Sequence, residues 1–367
     1  MMALRIEEPI VKAGQRAIVI SDIHGNLVAF QKLLKKVRFT QKDVLILLGD
    51  LVEKGESSLA LLQYVMELQK SHTVYTVCGN CDVIAMEVLR DERNKELLGY
   101  IYTRKHTLVG EMCEAVGIPI SKDLDMLGVK KILRKEFEKE LDFIANMPHI
   151  LKINEYTFAH AAVTEGDLSQ MKPSQVMKAD AFMEQGYHFE HYHVVGHWPT
   201  VLYSKTIPNC NPRIDKENKI ISIDGANVLK RDGQLNALII PDTTKEEFTY
   251  TYVDLLRKAK VLNTQEVGEG SFCISWLDSK VEVLRKEREF TYCEHISSGN
   301  KMWIPNSYLY QEKGEWHVED ITNYQLPLTF GDIVSVTEDT NRGYLVKKDG
   351  ICGWYYGMLE YVPEIEE

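Results

Sequence analysis

Side chains that can bind metal ions recur in this chain directly after short apolar runs. Six of them share this position: Asp22 and His24 after residues 17–20, Asp50 after residues 44–48, Asn80 after residues 73–77, His160 after residues 156–159, and His197 after residues 194–195. Such runs predict buried strands, and ligands collect at strand ends in layered α/β sheets. We therefore expect the six side chains to meet at one place, where carboxylate, imidazole and amide donors would hold two metal ions.

A pair of cations suits the hydrolysis of a phosphate ester. Two cations about 3.5–4 Å apart can hold a bridging hydroxide, which attacks phosphorus without a protein nucleophile. Holding them so close needs an anionic bridge, and Asp50 can supply it. Asp22 and His24 would complete one site, and Asn80, His160 and His197 would complete the other. The mixed nitrogen and oxygen set favours manganese, or alternatively iron, zinc, cobalt or nickel, over a site that takes only magnesium.

The elements that must position these donors alternate between strand and helix over residues 16–80. Apolar residues spaced by three and four predict an amphipathic helix over residues 26–37. Residues 83–150 are predicted to be mainly helical, with the clearest apolar stripe running from Leu133 to Ile144, and residues 158–252 are predicted to form short strands. Strand–helix–strand units of this length predict an α/β fold in which helices cover a sheet.

The sequence pattern changes after about residue 255. We predict a first domain over residues 1–255 and a linker over residues 256–271, which are polar and have no strong period. Short apolar–polar alternations follow over residues 272–367, separated by turn sequences such as Asp349-Gly350. These alternations predict hairpins and one or two small all-β barrels.

Composition excludes some classes of partner. The 367 residues carry a net charge of −11, which argues against a protein that follows a nucleic-acid backbone, because such proteins need a basic surface. Seven scattered cysteines, an odd number, are typical of reduced thiols. The sequence shows no signal peptide and no apolar stretch of the roughly 18 residues that a membrane span needs. We therefore expect a cytoplasmic protein with no membrane partner.

Five ordered motifs carry a family resemblance. They are Ser21-Asp22-Ile23-His24-Gly25-Asn26, Gly49-Asp50-Leu51-Val52-Glu53-Lys54-Gly55, Gly79-Asn80-Cys81-Asp82, His160-Ala161-Ala162 and Gly196-His197-Trp198-Pro199-Thr200. Together they resemble the calcineurin-like metallophosphoesterase superfamily, in particular its phosphoprotein phosphatases and symmetrical diadenosine tetraphosphatases. The resemblance covers about residues 16–255 and implies a β-sandwich flanked by helices, with a dinuclear centre at one edge. It also implies that Asp22, His24 and Asp50 bind one metal and that Asp50, Asn80, His160 and His197 bind the other.

Three positions depart from the family pattern. Cys81 stands where the family usually has the histidine thought to protonate the leaving oxygen, so it is a candidate catalytic residue that can donate a proton but forms no cation. Glu53-Lys54-Gly55 replaces the usual Asp-Arg-Gly, so Lys54 is a candidate substrate-binding residue without the bidentate fork of arginine. Trp198 replaces a small residue and would narrow the entrance. These departures favour substrates whose leaving group departs with little protonation by a general acid, such as aryl esters, diesters or phosphoanhydrides.

The C-terminal region carries a second resemblance. The sequences Leu328-Thr329-Phe330-Gly331-Asp332 and Gly353-Trp354-Tyr355-Tyr356-Gly357 resemble bacterial Src-homology-3-like barrels. Trp303, Trp354 and Tyr356 would form the core of such a barrel or, alternatively, an aromatic groove that binds a peptide or glycan partner.

These observations predict a phosphoester hydrolase with a phosphorylated small molecule, a nucleotide or a phosphoprotein as its substrate. One alternative is a symmetrical dinucleoside-polyphosphate hydrolase. Another is a scaffold that binds a phosphorylated ligand through a weak catalytic centre, a reading that depends on Cys81. The spacing of Cys78 and Cys81 would also suit a redox or zinc site, but the chain has no second pair of this kind.

Overall fold

The computed structural model describes residues 3–92 and 94–363. The chain divides into two units, which we call the N-terminal and C-terminal units. The N-terminal unit comprises the chain up to Thr200 together with Pro212–Leu229 and Gly233–Val253. The C-terminal unit comprises Val201–Asn211, Lys230–Asp232 and the chain from Asp254 onward.

The N-terminal unit combines helices and strands in alternation. Its helices are α1 (Leu27–Lys36), α2 (Ser58–Leu68), α3 (Lys95–Thr103), α4 (Leu108–Ala115), α5 (Met126–Glu136), α6 (Glu138–Asn146) and α7 (Pro173–Met177). Its strands are β1 (Ile6–Glu7), β2 (Ala17–Ile20), β3 (Val44–Leu47), β4 (Thr73–Thr76), β5 (Ile150–Ile153), β6 (Tyr156–Ala159), β7 (Tyr192–Val195), β8 (Arg213–Asp215), β9 (Ile220–Ser222), β10 (Leu235–Ile240) and β11 (Thr249–Val253). The longest 3-10 helix of this unit covers Asp82–Leu89.

The strands form two sheets that enclose an apolar core. One sheet has the order β1-β5-β6-β7-β9-β8, and the other has the order β11-β10-β2-β3-β4. Side chains along a strand alternate between the two faces of a sheet. Val19 and Ile46 therefore share the core between the sheets with Phe158 and Val194, whereas Ile18 faces the helices on the other side. The predicted α/β sandwich flanked by helices is confirmed.

The helical region between β4 and β5 is also confirmed, with one difference. The apolar stripe from Leu133 to Ile144 belongs to two helices, α5 and α6, which are separated at Phe137. The backbone of Phe137 leaves the helical region at φ −120° and ψ 32°. Its side chain is still buried in the same core, so the stripe predicted burial correctly although it missed the break.

The C-terminal unit consists mainly of short strands. They are β12 (Arg257–Val261), β13 (Cys273–Ile274), β14 (Lys280–Lys286), β15 (Phe290–His295), β16 (Lys301–Pro305), β17 (Leu309–Glu312), β18 (Glu315–Val318), β19 (Ile321–Thr322), β20 (Ile333–Thr340), β21 (Gly343–Lys348), β22 (Ile351–Tyr355) and β23 (Leu359–Tyr361). Two five-stranded sheets have the orders β16-β15-β14-β18-β17 and β22-β21-β20-β12-β23. Whether they form one or two Src-homology-3-like barrels stays a prediction.

The linker predicted over residues 256–271 needs a correction. Strand β12 lies inside it and pairs with both β20 and β23. Ala259 and Val261 point into the core, while Lys258 and Lys260 flank them on the other face. Only two of the five side chains of this strand are apolar, so its sequence resembles a polar linker. This explains why the strand was not predicted.

The aromatic residues of this unit differ in their exposure. Trp354 is buried, and its Nε1 donates to the carbonyl oxygen of Thr322 at 2.8 Å, so it belongs to the core. Tyr356 is 55% exposed and stacks on the outer side of Trp354.

Among the described residues, no helix combines the length and apolar character needed to cross a bilayer.

Candidate metal centre

The sheet topology explains why the predicted donors meet. Strands β2, β3 and β4 run parallel in one sheet, and β6 and β7 run parallel in the other. Parallel strands end at the same edge of a sheet, so the residue that follows each strand lies close to the residue that follows its neighbour.

Asp50 lies at the middle of this cluster. His160 Nε2 is 3.4 Å from Asp50 Oδ1, and His24 Nε2 is 3.8 Å from Asp50 Oδ2. His24 Nε2 is also 3.9 Å from Asp22 Oδ1. Two atoms that each lie about 2.1 Å from a shared cation are about 3–4 Å apart. The spacing therefore suits one cation on each side of Asp50.

The second group of predicted donors lies on the His160 side. Ligand atoms of Asp50, His160 and His197 all lie within 4.8 Å of one another, and Asn80 Oδ1 is 3.2 Å from His160 Nε2. The structure thus brings together all six predicted donors, and we call this group the candidate metal centre.

The side-chain amide of Asn80 points into this group. One arm of the amide faces three acceptor atoms: His197 Nδ1 at 2.9 Å, the carbonyl oxygen of Met177 at 3.1 Å and His160 Nε2 at 3.2 Å. With the amide nitrogen on that arm, Asn80 donates to these atoms. With the oxygen on that arm, a divalent cation would satisfy the oxygen and both imidazole nitrogens together.

Two of the histidines, His24 and His160, present their Nε2 lone pairs inward. Nδ1 of His160 is 2.7 Å from the carbonyl oxygen of Leu48, and Nδ1 of His24 is 3.4 Å from that of Val52. A carbonyl only accepts, so each Nδ1 carries the hydrogen and each Nε2 keeps its lone pair for the cluster. Such carbonyl contacts are typical of metal-binding histidines.

The electrostatics of the cluster also favour a cation. Burial, and then the ammonium group of Lys54, lower the pKa of His24 to about 3. Burial, and then the ring of His160, lower the pKa of His197 to about 3. Both imidazoles are therefore neutral near pH 7. Burial raises the pKa of Asp22 to about 8, and the nearby carboxylate of Asp50 contributes a smaller part because two buried negative charges repel each other. Divalent cations bound between them would reduce this repulsion.

Several of these residues adopt an uncommon backbone conformation. Asp22, His24, Asp50 and His197 have φ values of 53°, 51°, 49° and 65°. A positive φ costs free energy for any residue with a Cβ, and such residues concentrate at functional sites. The backbone turns sharply after each strand, and this turn aims the side chain into the cluster.

Two glycines permit the close approach of the loops. A Cβ at Gly79 would lie 2.3 Å from the backbone nitrogen and from Oδ1 of Asp50. A Cβ at Gly196 would lie 2.3 Å from Asp22 Oδ2 and even closer to the hydroxyl oxygen of Ser21. Neither position has room for a side chain, so each glycine is required by the contact between two loops.

Asp82 has no role predicted from the sequence, yet its side chain holds two of the donor loops together. Its carboxylate is fully buried and accepts hydrogen bonds from Asp50 N at 2.9 Å, Gly79 N at 2.8 Å, Leu51 N at 2.9 Å and Val52 N at 3.4 Å. One side chain thus ties the loop that carries Asp50 to the loop that carries Asn80. The only signal in the sequence was its place in the Gly-Asn-Cys-Asp motif.

Glu53 and Lys54 connect the cluster to the helical region. Glu53 is buried and accepts from the Tyr100 hydroxyl at 2.8 Å and from Leu108 N at 2.9 Å, contacts that the longer side chain of glutamate allows. Lys54 Nζ lies 3.2 Å from His24 Nε2, at the edge of the candidate metal centre. A cation bound by His24 would require the ammonium group of Lys54 to leave this position.

Cys81 lies beside the candidate metal centre. Its backbone nitrogen donates to Asp50 Oδ1 at 2.8 Å, and its thiol lies within 4.8 Å of ligand atoms of both His24 and Asp50. Burial, and then the Asp50 carboxylate, raise its pKa well above the ordinary value, so the thiol keeps its proton at neutral pH. Cys78 and Cys81 are not disulfide-bonded.

Asp224 is a further buried carboxylate near the cluster. Its Oδ1 accepts from Ala226 N at 2.8 Å, while Oδ2 makes no hydrogen bond within the described residues. Burial, and then the charge of Asp22, raise its pKa well above the ordinary range.

A family model and several curated relatives match this sequence. The sequence model of the Calcineurin-like phosphoesterase family matches residues 15–201, slightly more than half of the chain. A symmetrical bis(5'-nucleosyl)-tetraphosphatase from Vibrio parahaemolyticus is 31% identical over 147 residues, which are 40% of this chain and 44% of that protein. The same enzyme from Glaesserella parasuis is 45% identical over 73 residues, which are 20% of this chain and 26% of that protein. The chain therefore spans less than half the length of these curated relatives.

Solved structures show lower similarity. A protein serine/threonine phosphatase from Saccharomyces cerevisiae is 12% identical, with a TM-score of 0.43, over 69% of this chain and 84% of that one. A metallophosphoesterase from Sphaerobacter thermophilus is 14% identical, with a TM-score of 0.38, over 66% of this chain and 89% of that one.

The match of the family model defines the class of protein: this chain belongs to the calcineurin-like phosphoesterase family. Within it, the sequence similarity of this chain extends to the symmetrical tetraphosphatases described above.

Proposed function

We propose that this protein hydrolyses phosphate esters or phosphoanhydrides with two divalent cations bound at the candidate metal centre. The observation that carries the proposal is the convergence of the six donors around Asp50, with Nε2 of His24, Nε2 of His160 and the amide of Asn80 directed inward. When bound, two cations lower the pKa of a water molecule and polarise the phosphoryl oxygens. We propose manganese as the metal, with iron, zinc, cobalt or nickel as alternatives, because nitrogen and oxygen donors are mixed.

The residues of the chain would have separate roles in binding the metals, binding the substrate and donating a proton. Asp50 would contribute to both cation sites, Asp22 and His24 would complete one of them, and Asn80, His160 and His197 would complete the other. Lys54 would place a positive charge against a phosphoryl oxygen. The thiol of Cys81 would lie beside the leaving oxygen and donate a proton to it weakly.

The test uses the full chain loaded with manganese. It is assayed on 4-nitrophenyl phosphate, bis(4-nitrophenyl) phosphate and diadenosine tetraphosphate, with bound metal measured by mass spectrometry. We expect about two metal ions per chain and turnover of at least one substrate. A chain that binds two ions and turns over none of the three would overturn the proposed activity and favour the scaffold.

A second candidate function is the symmetrical hydrolysis of dinucleoside polyphosphates. It is supported by the similarity to the two tetraphosphatases and by the raised pKa of Cys81, because a phosphoanhydride leaves without much acid help. The assay distinguishes it by a higher kcat/KM for diadenosine tetraphosphate than for either aryl ester.

We also propose that Lys54 binds the substrate. Replacing it by methionine in Lys54→Met keeps the length of the side chain but removes the charge. A hydrogen bond to a charged group contributes about 1.5–3 kcal/mol, so we expect KM for 4-nitrophenyl phosphate to rise about tenfold or more. The matched control is Lys105→Met, at an exposed lysine of the same region. An unchanged KM in Lys54→Met would contradict the assignment.

Cys81 is proposed as a weak acid whose replacement by histidine should help poor leaving groups. The unperturbed pKa of histidine, about 6.5, lies below that of cysteine, about 8.5, so an imidazole that the Asp50 carboxylate keeps protonated is the stronger proton donor. We expect Cys81→His to raise kcat for an alkyl phosphate such as glycerol phosphate about tenfold, with a smaller change for 4-nitrophenyl phosphate. Cys273→His, in the C-terminal unit, is the control. Equal changes for both esters would count against an acid role, and measured metal content would show whether the new imidazole binds a cation.

The whole protein is proposed to be cytoplasmic.

The C-terminal unit is proposed to bind a peptide partner. Three exposed apolar or aromatic side chains support this proposal: Phe330 at 63%, Tyr356 at 55% and Met358 at 61% exposure. They surround one loop, residues 263–265, because Phe330 N donates to Thr264, Tyr356 N to Gln265 and Met358 N to Asn263.

The partners of the N-terminal unit are proposed to be phosphorylated small molecules, nucleotides or phosphoproteins. The acidic net charge of the chain argues against nucleic acid.

A further inference from the structure

The thiol of Cys81 lies among the donors on one side of the candidate metal centre. Its Sγ, a ring nitrogen of His24 and a carboxylate oxygen of Asp50 all lie within 4.8 Å of one another. His24 Nε2 is in turn 3.9 Å from Asp22 Oδ1. All four side chains are buried, so a cation among them would depend on these side chains more than on water. We call Asp22, His24, Asp50 and Cys81 the thiol-containing site.

The separations within the thiol-containing site suit a single cation. Zinc lies about 2.3 Å from a thiolate sulfur and about 2.0–2.2 Å from an imidazole nitrogen or a carboxylate oxygen, so at tetrahedral angles two ligand atoms are about 3.4–3.6 Å apart. His24 Nε2 lies 3.8 Å from Asp50 Oδ2 and 3.9 Å from Asp22 Oδ1, which is close to these values. The sulfur of Cys81, at no more than 4.8 Å, needs to approach by about 1 Å at most.

Backbone hydrogen bonds hold Cys81 at this site. Its N–H donates to Asp50 Oδ1 at 2.8 Å, and its carbonyl oxygen accepts from Ile84 N at 3.2 Å. Asp82, the next residue, accepts from Asp50 N at 2.9 Å and from Gly79 N at 2.8 Å. A cysteine side chain places its sulfur through one torsion angle, so a fixed backbone leaves the sulfur few positions.

A positive charge occupies the edge of this site. Lys54 Nζ is 3.2 Å from His24 Nε2, and its ammonium group interacts favourably with the carboxylates of Asp50 and Asp22. The surrounding side chains therefore favour a cation at this point. A divalent ion carries twice the charge of an ammonium group and would gain correspondingly more from the same carboxylates.

A sulfur donor changes which cation a site prefers. Thiolate is a soft ligand that selects zinc, whereas manganese is suited by carboxylate, carbonyl and water oxygens. When a thiol binds zinc, its S–H bond is replaced by a sulfur–metal bond and the proton passes to solvent. Cys81 therefore has two exclusive states, a protonated thiol beside manganese and a thiolate ligand of zinc.

We infer that Cys81 is a ligand of zinc at the thiol-containing site and gives this site a preference for zinc over manganese. The group on the other side of Asp50, with His160 and His197, supplies nitrogen and oxygen atoms, so the two cation sites differ in their preference. The inference rests on the proposed function in that it requires cations at the candidate metal centre. Zinc on Cys81 leaves no thiol proton for the leaving oxygen, so the zinc form hydrolyses alkyl phosphates more slowly than the manganese form.

Cobalt provides the main test, because a cobalt–thiolate bond gives an intense charge-transfer band in the near ultraviolet, beyond the absorption of aromatic side chains. The full chain is titrated with cobalt as wild type, Cys81→Ser and Cys78→Ser, the last at a buried cysteine of the same loop as the matched control. We expect the band in the wild type and in Cys78→Ser and its loss in Cys81→Ser, with cobalt still bound. A wild type that binds cobalt without the band, or a band that persists in Cys81→Ser, overturns the inference.

A second measurement needs no substitution. The resonance of the NMR-active isotope of cadmium moves to higher frequency with each sulfur ligand, so the wild type loaded with cadmium reports sulfur directly. We expect two resonances, one shifted by a single sulfur and one in the range of nitrogen and oxygen ligands. Two resonances that both lie in the nitrogen and oxygen range overturn the inference.

Competition between metals measures the preference itself. Residues that only orient metal ligands contribute about 10–100-fold in affinity, so we expect the ratio of zinc affinity to manganese affinity to fall about tenfold or more in Cys81→Ser and to stay unchanged in Cys78→Ser. An unchanged ratio in Cys81→Ser contradicts the preference.

Hydrolysis measured on the same samples separates this inference from the proposed function. A cobalt–thiolate band in a protein that hydrolyses no ester supports the sulfur ligand and overturns the proposed activity. Hydrolysis by a wild type whose bound cobalt shows no such band retains the proposed function and overturns the inference.

Discussion

Replacing Asp50 by asparagine is expected to reduce kcat/KM for an aryl phosphate about a thousandfold or more. Asp50 is the residue whose two oxygens face both His24 and His160. Asparagine has one oxygen and no charge, so it cannot bridge two cations. Stabilisation of transition-state charge by a metal ion contributes several kcal/mol, and each 1.4 kcal/mol corresponds to a tenfold change in rate.

The same substitution should leave the fold intact. The hydrogen bond from Cys81 N to Asp50 Oδ1, at 2.8 Å, can be kept by the amide oxygen of asparagine. Measured metal content should fall from about two ions per chain to one or fewer, and the melting temperature of the metal-free protein should change little. Asp142→Asn, at an exposed aspartate of α6, is the control. Full activity with one bound ion in Asp50→Asn would exclude a bridging role.

The donors themselves were predictable because their signal is local. Each of Asp22, Asp50 and Asn80 follows an apolar strand, and parallel strands end at one edge. The sequence therefore placed them together without any knowledge of distances. The positive φ of Asp22 or His24 was not predictable, because neither residue type reports the conformation of its own backbone.

Residues that act by holding loops together were harder to find. Glu53 reads in the sequence as an acidic residue of a loop, yet it is buried and binds Tyr100 and Leu108. Its partners lie about fifty positions away, and neither forms a motif with it.

The error at strand β12 has a different cause. Ala259 and Val261 alternate with lysines, a pattern that five residues cannot distinguish from a polar linker. Its partners, β20 and β23, lie about 75 and 100 residues further along the chain. The strand forms because two neighbours supply its hydrogen bonds, and this tertiary context is absent from a local pattern.

Replacing Asp82 by alanine is expected to have the largest effect on stability and metal binding of any residue outside the six donors. The carboxylate accepts hydrogen bonds from four backbone N–H groups at the edge of the sheet, those of Asp50, Leu51, Val52 and Gly79. Alanine would leave these groups buried without an acceptor. Each unsatisfied buried donor costs about 1–3 kcal/mol, although water that enters the cavity would recover part of this loss.

We therefore expect Asp82→Ala to lower the free energy of unfolding by about 4 kcal/mol. This value corresponds to the cost of two unsatisfied donors rather than four, because water would satisfy the others. The loss should extend to metal affinity, because the same carboxylate fixes the distance between the loops of Asp50 and Asn80. Residues that orient metal ligands contribute about 10–100-fold in affinity. Urea unfolding of the metal-free protein measures the first quantity, and titration of manganese measures the second.

Two further variants make this prediction specific. Asp82→Asn keeps one carbonyl oxygen and should recover part of both losses, whereas Asp123→Ala, at an exposed aspartate, should cause neither. If Asp82→Ala lost stability but kept its affinity for manganese, the carboxylate would support the fold without positioning the ligands. A parallel loss of both, partly restored by asparagine, is the result expected if one buried side chain aligns the two loops that carry Asp50 and Asn80.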